Sequence, residues 1–125
     1  MLKKRKKGNG GRSVVSIEKI QNMMRRIYFA RDAERGAEGT YRWFKEEVEE
    51  LGDAMRKSDT EALENEFADV VAWLASLANV LQVNLETAVL RKYDNHCPKC
   101  SSSPCECTFK REKVKQSSAA VDPRQ

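Results

Sequence analysis

Ile17, Ile20, Met24, Ile27 and Tyr28 recur at the three- and four-residue spacing of one helix face. Ser16 stands at the N-cap position before them, and Arg35–Gly36 marks the end of that helix. A second stripe, Phe44, Val48, Leu51 and Met55, predicts a helix from about Thr40 to Lys57. "KSDTE" interrupts the pattern, with Ser58 or Asp59 as the next cap and Glu61 placed for a capping box. A third helix runs from about Thr60 to Leu81. "QVN" then turns the chain, and Asn84 caps a short fourth helix reaching about Lys92. No segment alternates as a strand does, and the first proline is Pro98. The pattern predicts an all-α fold, an antiparallel bundle of about four helices with short connections.

The third helix, "FADVVAWLASLANVL", is apolar nearly all round. A helix apolar on every side needs cover on every side, and a helical part of roughly 80 residues is small to supply it alone. The expected solution is a homo-oligomer, dimer or tetramer, with a two-fold axis near the second and third helices.

Against this background the acidic run "KEEVEELGD" at 45–53 divides into two sets. At about 100° per residue, Glu47 falls roughly 60° from Phe44, inside the apolar arc, and Glu50 borders it. Glu46, Glu49 and Asp53 point the other way, as a solvated face. On the third helix Glu66 falls within the arc centred on Leu63 and Asp69 borders it. Two helices thus carry matched carboxylate pairs at the edge of an apolar stripe, and antiparallel packing brings them face to face. Buried carboxylates are costly unless paired, protonated or metal-bound. A neighbouring Arg or Lys would answer a single buried Glu. Two matched pairs with no His or Cys form a hard-oxygen set that suits Mg²⁺ or Mn²⁺.

Charge changes the picture of the basic pI of about 8.9. Residues 1–12 carry six basic side chains and no acidic one, whereas residues 13–96 carry 16 acidic against 11 basic. The part that folds is acidic, which argues against a nucleic-acid-binding core. The basic residues 1–12 and residues 108–125 read as disordered tails. The first could attract polyanions, but a solubilising role is preferred to nucleic-acid binding. The N-terminus has no apolar signal region, and no run is long enough to span a membrane, so a cytoplasmic protein with reduced thiols is expected.

All four cysteines, Cys97, Cys100, Cys105 and Cys107, lie within "CPKCSSSPCEC". C-x-x-C followed by C-x-C predicts a small knuckle at 97–107 around one structural Zn²⁺. A reduced flexible tail, or a redox pair of Cys97 and Cys100, is the other reading. His96 is the only histidine and is not needed by a four-cysteine site, so imidazole acid–base catalysis is not expected. Trp43 and Trp73 stand at core spacing, which favours packing over stacking on a base.

The order of blocks "YFARDAERG", "RWFKEEVEEL", "ENEFADV", "FADVVAWLASLANVL" and "NLETAVLRKY" resembles the MazG-like nucleotide pyrophosphohydrolases, within the all-α NTP pyrophosphatase superfamily. The resemblance covers about Ile17 to Cys107, and the cysteine tail is similar to that of a short single-domain branch. Glu47 and Glu50 fall on the first pair of the family's E-x-x-E … E-x-x-D motif, Glu66 and Asp69 on the second. The resemblance implies Mg²⁺-dependent hydrolysis of nucleoside triphosphates between the α- and β-phosphates, with nucleotide-pool cleansing as a role. It implies metal binding by the four carboxylates; a carboxylate not saturated by metal could orient the attacking water, with Glu50 the candidate. Lys92 matches a late helical lysine that would contact phosphate, or it complements a helix C-terminus. Arg31 and Asp32 match an "RD" pair at the end of the first helix, as substrate contacts or an exposed end. Asn95 lies near a family asparagine in a segment one residue short of longer relatives. The domain order expected is a tail at 1–12, a MazG-like helical domain at 13–96, the knuckle at 97–107 and a tail at 108–125. The alternatives are a pyrophosphohydrolase acting on dUTP or phosphoribosyl-ATP, or a non-enzymatic oligomeric zinc-knuckle adaptor.

Overall fold

The structure, a computed structural model, describes residues 14–108. The tails expected from the sequence lie outside these residues, apart from Thr108. Among the described residues there are three helices and no strand: α1 (Ile17–Lys57), α2 (Thr60–Leu81) and α3 (Leu85–Lys92). The all-α expectation holds. α1 is two helical stretches joined across a kink at Gly36, which alone leaves helical geometry with φ 83° and ψ 171°, at the Arg35–Gly36 end expected for the first helix. Ala37 and Glu38 resume the helix at once, so the expected connection before Thr40 does not form.

That backbone region is open essentially to glycine alone. A Cβ at Gly36 would meet nothing within 4 Å, so its cost is purely backbone strain. Gly36→Ala is therefore expected to lower stability by about 1–3 kcal/mol in urea unfolding. A variant as stable as the wild type would mean that the bend tolerates a Cβ.

The helix ends follow from local chemistry. Ser16 Oγ accepts from the Lys19 N–H at 3.2 Å, and Asn84 Oδ1 from the Thr87 N–H at 2.8 Å. Of the two cap candidates before α2, Asp59 serves, its Oδ1 accepting from the Ala62 N–H at 3.2 Å. Ser58 instead ends α1 in the left-handed region at φ 59°. Glu61 is then one position too early for the capping box.

α1 and α2 pack antiparallel, as the descending pairs 21/79, 43/73 and 47/66 show. One end is sewn by a buried amide network. Gln21 Nε2 donates to Asn79 Oδ1 at 3.0 Å and to the Val83 carbonyl at 2.8 Å. Asn79 Nδ2 returns a bond to the Gln21 carbonyl at 3.2 Å, and Gln21 Oε1 accepts from the Leu85 N–H at 3.0 Å. Satisfied amides in a dry interface fix register, because a slip would strand them.

The apolar core is thin: Ala54, Ala75 and Ala78 are its buried members among the described residues. Phe67 is 55% exposed, Val71 46% and Leu74 40%, so one chain leaves a large apolar face of α2 uncovered. No single helix among the described residues is long and apolar enough to cross a membrane. The chain forms two compact units, one up to Val89 and one from Leu90.

Candidate active site

In the first unit, α1 contributes Glu47 and α2 contributes Glu66 and Asp69. Each offers a carboxylate oxygen, and the three lie within 4.8 Å of one another. Glu47 Oε1 and Glu66 Oε1 are buried with no hydrogen-bond partner. Buried acceptors are normally satisfied, so two orphans side by side mark a place built for a positive partner. Burial first, then the charges of Glu50, Asp69 and Glu66, push Glu47 up to about 7. The trio is all oxygen and can hold a hard divalent cation. Glu50, one helical turn beyond Glu47, is exposed and outside the trio, although its charge acts on Glu47.

A raised Glu47 has a measurable consequence. The folded, metal-free protein holds a proton there that the unfolded chain releases above about pH 4.5. Stability contributed by that proton is present below about 4.5 and is lost as pH rises through about 7. The melting temperature of chelator-treated protein should thus fall between about pH 5 and about pH 8. Added Mg²⁺ should raise it more at the higher pH, where no proton competes. The reverse order would contradict the assignment.

A cavity of about 430 Å³ adjoins the trio and shares Asp69 with it. Its walls are two stripes of identical spacing: Tyr28, Arg31, Asp32 and Arg35 from α1, and Asp69, Ala72, Trp73 and Ser76 from α2. Both follow i, i+3, i+4, i+7, one face of each helix. Asp32 is 2% exposed. Its Oδ1 accepts from Arg35 at 2.8 Å, while Oδ2 is buried without a partner. The Arg35 guanidinium lies 4.9 Å over Trp73, which stacks on Trp43 with centroids 5.6 Å apart and planes at 11°. The two tryptophans therefore pack on each other, although Trp73 still forms part of the cavity wall.

The family model described as MazG nucleotide pyrophosphohydrolase domain matches residues 35–101, more than half of the chain. The chain belongs to this family. No curated protein matches it. The MazG match starts at Arg35, beside the bend, and includes all four carboxylates with Cys97 and Cys100. Arg31 and Asp32 precede it, and Cys105 and Cys107 follow it. As a MazG domain the protein is a nucleotide pyrophosphohydrolase, a hydrolase, and the oxygen trio lies within the matched segment.

Of the other residues singled out in the sequence, Arg31 and Asp32 line the cavity. Lys92 and Asn95 fall in the second unit. The Lys92 ammonium lies 5.8 Å from the Tyr93 ring centroid, and Asn95 is in the left-handed region at φ 67°. Arg35 enters the sequence reading as part of a helix end, and Ser76 carries no motif. Their spacing with Asp32 and Asp69 along one helix face was the available signal.

The second unit gathers the cysteines. All four are free thiols whose sulfurs lie within 4.8 Å of one another. Cys97 Sγ and Cys107 Sγ are 3.7 Å apart, Cys100 Sγ and Cys105 Sγ 3.9 Å. A tetrahedral ZnS₄ site has sulfur–sulfur edges of about 3.8 Å, from its bond length of roughly 2.3 Å. Backbone N–H groups point at three of the sulfurs: Lys99 at Cys97, Glu106 at Cys100 and Cys107 at Cys105. The donors of Glu106 and Ser102 hold the Cys100 thiol down to about 6, while Cys105, Cys97 and Cys100 push Cys107 up to about 12. The cluster can hold a metal ion, as expected. His96 is exposed and bonds the Cys97 carbonyl at 3.2 Å instead of joining the cluster.

Proposed function

We propose that this MazG domain hydrolyses nucleoside triphosphates to nucleoside monophosphate and pyrophosphate, using Mg²⁺ or Mn²⁺ held by Glu47, Glu66 and Asp69, with Glu50 completing the set. The observation that carries this reading is the pair of buried, partnerless oxygens of Glu47 and Glu66 beside an arginine-lined cavity. A divalent ion bound there neutralises charge on phosphoryl oxygens and lowers the pKa of a bound water. Glu50, exposed beside the trio, keeps an oxygen to orient the attacking water. Asp69 borders both trio and cavity, so phosphates held at one extend naturally into the other. Arg31 lines that cavity, and Asp32 holds the guanidinium of Arg35 beside it. Lys92 as a phosphate contact rests on the family resemblance.

The test is pyrophosphate release from a panel of canonical and damaged nucleoside triphosphates, with dUTP and phosphoribosyl-ATP included, with and without Mg²⁺. Metal-dependent pyrophosphate supports the reading. No product from any member of the panel would reject it. A non-enzymatic adaptor would give that second result.

The same proposal includes a homo-oligomer, dimer or tetramer, because Phe67, Val71 and Leu74 need cover that one chain does not supply. It also includes a structural Zn²⁺ on Cys97, Cys100, Cys105 and Cys107, and a cytoplasmic setting in keeping with four free thiols.

A further inference from the structure

Arg35 is fixed from three directions. Asp32, almost wholly buried, takes its Nη1 at 2.8 Å. Trp73, backed by Trp43, lies under its guanidinium at 4.9 Å. Gly39, one turn on, leaves room for its stem: a Cβ there would stand 2.6 Å from Arg35 Cγ and 3.4 Å from Cδ. A Cβ that close to the root of a side chain cannot be accommodated without moving the whole arginine.

Such confinement exceeds what an i, i+3 surface ion pair needs, since those pairs contribute little and usually stay mobile. A buried carboxylate serving only stability would have both oxygens satisfied, yet Asp32 Oδ2 has no partner. Among the described residues, the remaining N–H groups of Arg35 have no acceptor, and they belong to a side chain that lines the cavity next to Asp69.

We propose that Arg35 is a substrate-binding residue that grips the terminal phosphates, those that depart as pyrophosphate, with Asp32 and Gly39 as the residues that position it. This rests on the pyrophosphohydrolase reading and adds which end of the substrate enters the cavity. Two arginines, Arg31 and Arg35, stand one turn apart on its wall. A nucleoside is uncharged and has no use for both, whereas a pyrophosphate group offers oxygens for a planar fork at each phosphorus. The indole of the cavity is already stacked on Trp43 and covered by Arg35, which leaves it poorly placed to receive a base. Guanidinium contacts to the departing oxygens gain strength as the α–β bond breaks and charge accumulates there.

The experiment uses the full chain and inhibition of nucleotide hydrolysis by inorganic pyrophosphate and by the nucleoside monophosphate, with pyrophosphate affinity also measured by calorimetry with and without Mg²⁺. Arg35→Gln should weaken pyrophosphate about 10- to 100-fold and leave the monophosphate unchanged. Arg35→Lys should recover part of the loss. Gly39→Ala, which keeps every charge, should reproduce it by displacing the arginine. Asp32→Asn should raise KM more than it lowers kcat, with circular dichroism confirming the fold. If the Arg35 and Gly39 variants keep wild-type pyrophosphate affinity, or lose the monophosphate instead, the proposal fails while hydrolysis stands. If the wild type neither hydrolyses nucleotides nor binds pyrophosphate, both readings fail together.

Discussion

Glu47→Gln is expected to reduce metal-dependent pyrophosphate release on the order of 10³-fold, while Glu46→Gln, its neighbour, stays within about twofold of the wild type. The contrast is decided by direction on the helix. Glu46 is exposed on the solvated face of α1. Glu47 points at Glu66 and Asp69 across the interface, with Oε1 buried and partnerless. Gln preserves the shape of Glu47 and removes the charge that a divalent cation needs. The variant should not fail by unfolding. In the metal-free protein Glu47 is destabilised by burial and by three nearby carboxylates, so a neutral amide relieves strain. With chelator at about pH 8, Glu47→Gln should melt no lower than the wild type. A simultaneous loss of activity and of melting temperature would point to a structural role for Glu47. Equal activities of the two variants would remove the carboxylate trio from the chemistry.

Zinc supplies the second large effect. Full-length protein prepared without chelator should carry about one Zn²⁺ per chain, and Cys100→Ser should carry far less. The second unit has little else to order it: among the described residues of 93–108 there is no helix and no buried side chain. Small sites of this kind draw most of their folding energy from the metal. Proteolysis within residues 97–108 should therefore rise sharply in Cys100→Ser and in chelator-treated wild type, with α1 and α2 spared. Four freely titrating thiols and no bound zinc in the native protein would overturn the assignment. Cys97→Ser alone should behave as Cys100→Ser does if one tetrahedral ion is held. Under the redox-pair reading, Cys105 and Cys107 would be dispensable.

Much of the site was legible because helical periodicity converts sequence spacing directly into direction. Glu47 and Glu66 each fall inside an apolar arc, and antiparallel packing of adjacent helices leaves them little choice but to meet. Glu50 lies at the border of its arc, where a small rotation decides between ligand and exposed neighbour, and it is exposed. The cysteine cluster was legible for another reason. Four thiols within eleven residues can reach one point whatever the rest of the chain does.

The break at Gly36 was legible, since an Arg-Gly pair reads as a helix end, but the return to helix at Ala37 without a connecting loop was not. Nor could spacing show that Asp32 would be buried while Arg31, beside it, stays exposed.

By itself, then, the sequence determined the helices, most of their caps, the inward direction of Glu47 and Glu66 and the grouping of the thiols, since each depends on interactions within a few residues or on the period of one helix. Tertiary structure decided the rest. It joined two helical stretches directly at Gly36, stacked Trp73 on Trp43, drew Arg35 onto Asp32 and opened a cavity that shares Asp69 with the trio. Those outcomes depend on how two helix faces meet at close range, and no local pattern along the chain encodes that distance.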